Sequence, residues 1–266
     1  MQNTEVGDFR EFATELAKIA IAVVSGNRAD LQVEVKRDGS PVTGVDVAVE
    51  TALRARIESE YPDHGILGEE LPERNPDAEW CWVIDPIDGT SQFAAGLPNY
   101  GSLIALCRRG MPQLGIICQP DTEDIFIGVS GLGTWRNGVS VQTARTAALS
   151  ETNLCISDPD AFDDAIRPGM RRLRAVAGWT LYEGGCLSFG ALAAGRIGVS
   201  IYGSNLENFD ICALVPVVEG AGGIITDWRG VALTIESRGE IVASANRELH
   251  DAALSLLNGG QYQDDG

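Results

Sequence analysis

Apolar residues near the start of the chain recur at helical spacing. Phe9, Phe12, Leu16, Ile19 and Val23 fall on one face of a helix. Val45, Val49, Leu53 and Ile57 do the same over 44–61, and Thr43 with Asp46 forms a T-x-x-D start signal for that helix. From Ile66 the pattern shortens to strand-like runs. Ile66-Leu67 ends at Gly68, and the apolar run from Trp80 to Ile84 stops at Asp85. Runs at 102–107, 113–118 and 124–129, separated by turn residues such as Arg109-Gly110 and Pro120-Asp121, predict an antiparallel meander. Beyond Ala144 the pattern alternates: strands at 154–156, 175–178, 197–201, 223–226 and 240–245, helices at 160–173, 188–194, 210–219 and 247–257. Such alternation predicts an α+β half over 1–145 packed on an α/β half over 146–266. The Gly- and Asp-rich end, 259–266, is expected to fray.

Charge changes this picture more than length does. The 266 residues carry a formal net charge of −18. So acidic a surface repels nucleic-acid backbones and anionic membranes. An anionic substrate would then need bound cations to reverse the field locally. The six cysteines are scattered without a C-x-x-C pair and, Cys186 apart, sit in apolar surroundings. They read as core residues in a reducing compartment. His64 and His250 are the two histidines and neither accompanies a cysteine cluster, which argues against zinc. No basic region followed by an apolar run opens the chain, and no apolar stretch is long enough for a bilayer, so the expectation is a cytoplasmic protein.

Four segments carry candidate chemistry. In Trp82-Val83-Ile84-Asp85-Pro86-Ile87-Asp88-Gly89-Thr90 an apolar strand delivers two carboxylates three residues apart, stiffened by Pro86, before a possible helix at 91–95. Paired carboxylates at a strand end suit a hard cation such as Mg²⁺, and backbone N–H groups at a helix start can hold phosphate oxygens. The bland alternative is a D-P-x-D-G turn with both aspartates capping backbone. Gly68-Glu69-Glu70 offers a third carboxylate or simply a solvated loop. Asn208-Phe209-Asp210 precedes a helix ending in Gly220-Ala221-Gly222-Gly223, so Asp210 is either an N-cap or a fourth ligand. Lys36-Arg37-Asp38-Gly39-Ser40-Pro41-Val42-Thr43-Gly44-Val45-Asp46 reads as a turn feeding a capped helix, a role compatible with Asp46 accepting a further hydroxyl.

Together, in this order and spacing, the K-x-D-G-S-x-V-T-x-x-D, G-E-E and D-P-I-D-G-T stretches and the late aspartate before A-G-G resemble the inositol monophosphatase family over most of the chain. The resemblance implies a layered α-β-α-β-α sandwich of the inositol monophosphatase / fructose-1,6-bisphosphatase type. It implies Mg²⁺-dependent hydrolysis of a small phosphate monoester by a metal-activated water, with two or three ions bound. Carried over by residue, Glu69 and Asp85 with the Ile87 carbonyl would hold one ion. Asp85, Asp88 and Asp210 would hold another. Glu70 and Lys36 would support the ligands, and the backbone of Gly89 and Thr90 would contact the phosphate. Thr90 would hydrogen-bond the attacking water, Asp46 would accept from Thr90, and Glu69 would help to orient the water. Most ligands would then come from residues 1–145, with Asp210 and the substrate loops from 146–266. A homodimer and lithium sensitivity are further implications.

For the substrate, the stretch from Asp210 to Gly230, Phe209 in place of tryptophan, and Ile117-Cys118-Gln119-Pro120 resemble the histidinol-phosphate phosphatase branch. Two departures complicate the transfer. An acidic residue expected seven positions before Asp210 is Gly203, and the branch's G-G-D-C reads Gly184-Gly185-Cys186 after Glu183. Glu183 or Glu207 could compensate. Losing a charge-assisted bond to a substrate amine would cost roughly 1.5–3 kcal/mol. Candidate substrate contacts are thus Asp88, Glu183, Gly184, Gly185, Cys186 and Glu207, with histidinol phosphate and an inositol or sugar phosphate about level. Two alternatives remain: a nucleotide 3′-phosphate or sugar bisphosphate phosphatase, disfavoured by a chain whose lysines are Lys18 and Lys36, and a regulatory protein-binding role on the same fold.

Overall fold

The computed structural model describes residues 2–28, 31–36 and 39–261. Arg37 and Asp38 of the lysine-containing segment, and the end of the tail from 262, lie outside the described residues. The chain runs α1 (Gln2–Asn27), β1 (Val33–Val35), β2 (Pro41–Thr43), α2 (Gly44–Glu60), β3 (Gly65–Gly68), β4 (Trp80–Asp88), α3 (Thr90–Ala94), β5 (Gly101–Arg108), β6 (Met111–Gln119), β7 (Asp124–Val129), β8 (Gly133–Arg136) and β9 (Val139–Val141). It continues with β10 (Asn153–Ile156), α4 (Arg167–Val176), β11 (Trp179–Tyr182), α5 (Leu187–Ala193), β12 (Val199–Tyr202), α6 (Asn208–Ile211), α7 (Leu214–Gly220), β13 (Ile224–Asp227), β14 (Ile241–Ser244) and α8 (Arg247–Leu257).

Strands β3 to β9 form one sheet in sequence order, antiparallel except for the parallel β3–β4 pair. The period-2 alternation of β5 explains why helices cover both faces. Ile104 and Leu106 pack with α1 and α2 residues such as Leu16 and Leu53. Leu103, Ala105 and Cys107 pack with Ile211, Leu214 and Val217 on the other face. A second sheet, ordered β11-β10-β12-β14-β13, lies beyond α5 and α7. Its far face is closed by α4 and α8 through Leu173, Leu249 and Val242. The layers are therefore α-β-α-β-α, as the resemblance implied. All six cysteines are buried thiols, Cys186 included, contrary to its polar sequence surroundings. No helix among the described residues is long and apolar enough to cross a membrane.

Several boundaries differ from the pattern-based expectation for identifiable reasons. β4 does not stop at Ile84 but continues to Asp88 with a register shift between Asp85 and Asp88, so both carboxylates lie on the strand itself. The helix expected over 160–173 starts only at Arg167. Pro168 must sit in the first turn, and the Asp163 carboxylate holds the Ala165 and Ile166 amides before it. The strand expected at 175–178 is displaced to Trp179–Tyr182, because α4 runs through Val176. The helix expected at 210–219 is two helices, α6 and α7. Pro216 has no N–H to donate to the Cys212 carbonyl, and the chain breaks there. The segment before α2 is not a plain turn: Val33–Val35 and Pro41–Thr43 pair as an antiparallel ribbon.

Candidate active site

The register shift in β4 turns Asp85 and Asp88 toward the same end of the sheet, where the single-turn helix α6 delivers Asp210. One carboxylate oxygen from each of the three lies within 4.8 Å of the others. Asp85 is buried at 1% exposure, and its Oδ1 has no hydrogen-bond partner among the described residues. Asp210 is not an N-cap. It sits at the third helical position, and its Oδ2 accepts the Glu207 backbone N–H at 2.7 Å. Asp88 Oδ2 accepts from the Cys186 N–H at 2.8 Å, which ties β4 to the start of α5. After β4 the chain reverses at Gly89, whose φ of +86° favours glycine, and enters α3 at Thr90.

Glu69 follows β3 at the same end. Lys36 Nζ lies 2.7 Å from both Glu69 Oε1 and Glu70 Oε1. Asp46 closes the start of α2: its Oδ2 accepts the Thr43 N–H at 2.9 Å, and the Thr43 hydroxyl accepts from the Val45 N–H at 3.1 Å. The other Asp46 oxygen faces the Thr90 hydroxyl at 3.3 Å, while that hydroxyl also lies 3.0 Å from the Ile87 carbonyl. Capping and a hydroxyl contact thus coexist on Asp46.

The electrostatics are those of a cation site. Burial, then repulsion from Glu69, Asp88 and Asp210, pushes Asp85 well above the usual carboxylate range. Burial also raises Asp88, against the pull of the Cys186 N–H. Asp210 is pushed up to about 8 by burial and then by Asp88. Glu69 and Glu70 are raised by burial despite their hydrogen bonds to Lys36. Burial alone would lower the Lys36 ammonium, but its bonds to the two glutamates outweigh that and raise it. Clustered carboxylates of this kind resist ionising together unless a cation joins them. The donor set is all oxygen, one donor is buried and unpartnered, and the residues therefore fit a hard divalent ion.

A cleft of about 520 Å³ opens over these groups, lined by Glu69, Asp88, Gly89, Thr90 and Asp210 on one side. Its opposite wall comes from the carboxyl ends of the parallel strands β10 and β11 and of β12: Ser157 and Asp158, Glu183 and Gly185, and Tyr202. Strand carboxyl ends are where α/β sheets commonly bind ligands. Glu207 also lines the cleft. Gly184 and Cys186 do not: Gly184 packs on Cys155 and Ser188, and the Cys186 thiol is buried. A larger cleft of about 1030 Å³ lies between α1 and the β7–β8 edge; it mixes apolar residues such as Ile21, Ile127 and Trp135 with charged ones such as Arg10, Lys18 and Glu123, and among the described residues it holds no carboxylate cluster. Asp158 was absent from the sequence reading. The signal available was the Asp158-Pro159 step directly after a predicted strand, and the Asp158 carboxylate does cap the Pro159–Ala161 turn through the Asp160 N–H at 2.8 Å. That turn explains Gly203. A Cβ there would lie 2.2 Å from the Ala161 carbonyl oxygen, so backbone fills the place where an acidic side chain was expected.

Comparison with known proteins bears on the chain as a whole. The model of the inositol monophosphatase family matches residues 5–261. The bifunctional phosphatase IMPL2, chloroplastic, of Arabidopsis thaliana is 35% identical over 97% of this chain and 77% of its own length. A histidinol-phosphatase of Chlorobaculum parvum is 34% identical over 94% of this chain and 97% of its own. The solved structure of an inositol monophosphatase from Zymomonas mobilis superposes with a TM-score of 0.85 at 38% identity, covering 95% of this chain and 98% of that one. The chain belongs to the inositol monophosphatase family and is a magnesium-dependent phosphoric monoester hydrolase.

Proposed function

We propose that Glu69, Asp85, Asp88, Asp210 and the Ile87 carbonyl hold two or three magnesium ions. The observation that carries this is the buried, unpartnered Asp85 Oδ1 beside Asp88 and Asp210. When bound, magnesium neutralises the phosphate oxygens and lowers the pKa of a coordinated water. The protein's own groups do the rest. Once the Ile87 carbonyl is engaged, the Thr90 hydroxyl donates to Asp46 Oδ1, and its lone pair then faces the attacking water. Glu69 would help to orient that water from its opposite side. Backbone N–H groups of Gly89 and Thr90 take phosphate oxygens, while Glu70 and Lys36 hold Glu69 in place. Residues 1–145 act as the half carrying most metal ligands, and 146–266 as the half carrying Asp210 and the substrate wall.

Asp158 and Glu183 add negative charge beyond the metal ligands, which suits an alcohol carrying a cationic amine, whereas the Glu207 carboxylate is already paired with Arg238. Histidinol phosphate is therefore the substrate we favour over an inositol or sugar phosphate, in keeping with the histidinol-phosphatase among the relatives. The same reading includes a cytoplasmic homodimer inhibited by lithium. Phosphate release from histidinol phosphate, inositol 1-phosphate, fructose 1,6-bisphosphate and a nucleotide 3′-phosphate, each with Mg²⁺ and with EDTA, tests it. Turnover of histidinol phosphate well above the others supports the amine-binding wall. Preference for an uncharged polyol phosphate removes it.

A further inference from the structure

We propose that Glu50 and Arg54 of α2 are positioning residues that set Glu69 for metal binding, an inference that rests on Glu69 being a magnesium ligand. Neither residue belongs to the site proposed above, yet both are buried, at 0% and 8% exposure. Glu50 Oε2 accepts the Glu70 N–H at 2.8 Å, and Oε1 accepts the Leu71 N–H at 3.2 Å and Arg54 Nε at 2.8 Å. Arg54 then donates onward, from Nη1 to the Pro72 carbonyl at 2.9 Å and from Nη2 to the Leu71 carbonyl at 3.0 Å. The Glu69 N–H is bonded to the Ile84 carbonyl of β4 at 3.2 Å. The backbone of the turn carrying Glu69 is therefore held from both sides, by β4 in front and by one ion pair behind.

The closeness of this arrangement is set by Gly68. A Cβ there would lie 2.0 Å from Glu50 Oε1, so the carboxylate lies directly against the backbone that carries Glu69. Removing two charges from water is costly, and packed apolar residues of similar volume would commonly hold a helix against a sheet as well or better. What apolar residues cannot do is grip two consecutive amides and two carbonyls of a loop in fixed directions. The planar guanidinium fork and the two-oxygen carboxylate can. Asp46, Glu50 and Arg54 follow one another at four-residue intervals and so share one face of α2. That face touches Thr90 through Asp46 and the Glu69 turn through Glu50. A single helix thus sets the distance between the residue proposed to orient water and a proposed metal ligand.

The test uses the full chain with Mg²⁺ alone as the probe, by isothermal titration calorimetry, with circular dichroism and thermal midpoints for folding. Glu50→Gln keeps the size but presents an N–H where an amide needs an acceptor. It is expected to raise the Mg²⁺ Kd about 10–100-fold, with kcat at saturating Mg²⁺ recovering toward that of the parent. Arg54→Lys keeps the charge but loses the fork, and a Kd raised toward the lower end of that range, about tenfold, is expected. If Glu50→Gln does not fold, Arg54→Lys decides alone. Folded variants that bind Mg²⁺ as the parent does overturn the positioning role, even if their thermal midpoints fall. Asp85→Asn in parallel separates this from the metal assignment: binding lost there but kept in the α2 variants sinks only the positioning role, and binding kept in all three sinks both.

Discussion

The starts of α2 and α6 use the same local device and put it to different ends. In each, an aspartate at the third helical position turns one oxygen back to the N-cap backbone: Asp46 Oδ2 to Thr43 at 2.9 Å and Asp210 Oδ2 to Glu207 at 2.7 Å. In α2 the second oxygen meets a hydroxyl, that of Thr90, and the group is fully buried. In α6 an oxygen of Asp210 lies within 4.8 Å of oxygens of Asp85 and Asp88, and Asp210 is pushed up to about 8. The same cap thus leaves each aspartate in different company, a hydroxyl beside Asp46 and two carboxylates beside Asp210.

The strongest way to break the comparison is at the shared carboxylate cluster. Asp85→Asn is expected to lower phosphatase activity at least about a hundredfold, more than an outer partner of a metal ligand costs, while the metal-free protein stays folded. Full activity in that variant would remove the metal assignment. Next comes magnesium itself. Asp85, Asp88 and Asp210 have folded-state pKa values raised above their unfolded values. Their stability contribution is therefore fully present below about pH 4 and is lost as pH rises through the folded pKa, about 8 for Asp210. The thermal midpoint of the EDTA-treated protein should fall between those limits. Mg²⁺ at a hundred times its Kd should return about 2.7 kcal/mol. A midpoint that is flat with pH and indifferent to Mg²⁺ contradicts the cluster.

A finer test sets Asp46→Asn against Asp210→Asn. Each weakens the bond from the third helical position to the N-cap backbone, by about 0.5–2 kcal/mol at most. In the metal-free protein, however, Asp210→Asn also removes a carboxylate whose pKa is held up by burial and by Asp88, so its denaturant midpoint should fall less. Their Mg²⁺ affinities should also differ: Asp210→Asn is expected to weaken binding, whereas Asp46→Asn lowers kcat and leaves binding near that of the parent. Equal effects on both quantities would collapse the distinction. The smallest effect is expected at the substrate wall. Asp158→Asn should raise the KM for histidinol phosphate about tenfold, the lower end of a charge-assisted bond, and leave inositol 1-phosphate unchanged. An equal change for both substrates would mean that Asp158 does not read charge.

The proposed metal ligands were brought together by the family resemblance: within its own segment Glu69 reads equally as part of a solvated loop and Asp210 as an N-cap, and only Asp85 and Asp88 share one contiguous run. Asp85-Pro86-Ile87-Asp88-Gly89-Thr90 carries strand, bulge and helix entry within six residues, and Thr43 with Asp46 closes a cap over four. Glu50 and Arg54 were illegible. In sequence they border the apolar stripe of α2, where a charged residue ordinarily reads as solvated, and the amides that satisfy Glu50 lie 20 and 21 residues away. Asp158 was missed for a related reason. Its place at the cleft depends on a turn that closes over Gly203, 42 or more residues later. The Asp210 helix was misjudged at both ends, since a helix of one turn has too few residues for a periodic signal.

By itself the pattern of the sequence determined most of the elements and their order, because hydrophobic period and capping chemistry act over neighbouring residues, while the layers and the gathering of carboxylates at the end of β4 followed from the family resemblance. Only the tertiary structure decided which oxygen of each aspartate is spent on a cap, what fills the place of the acidic residue expected at Gly203, and which buried ion pair grips the Glu69 turn. Those outcomes depend on groups far apart in the chain meeting within hydrogen-bond distance, where burial makes an unpaired polar group costly and leaves few arrangements open.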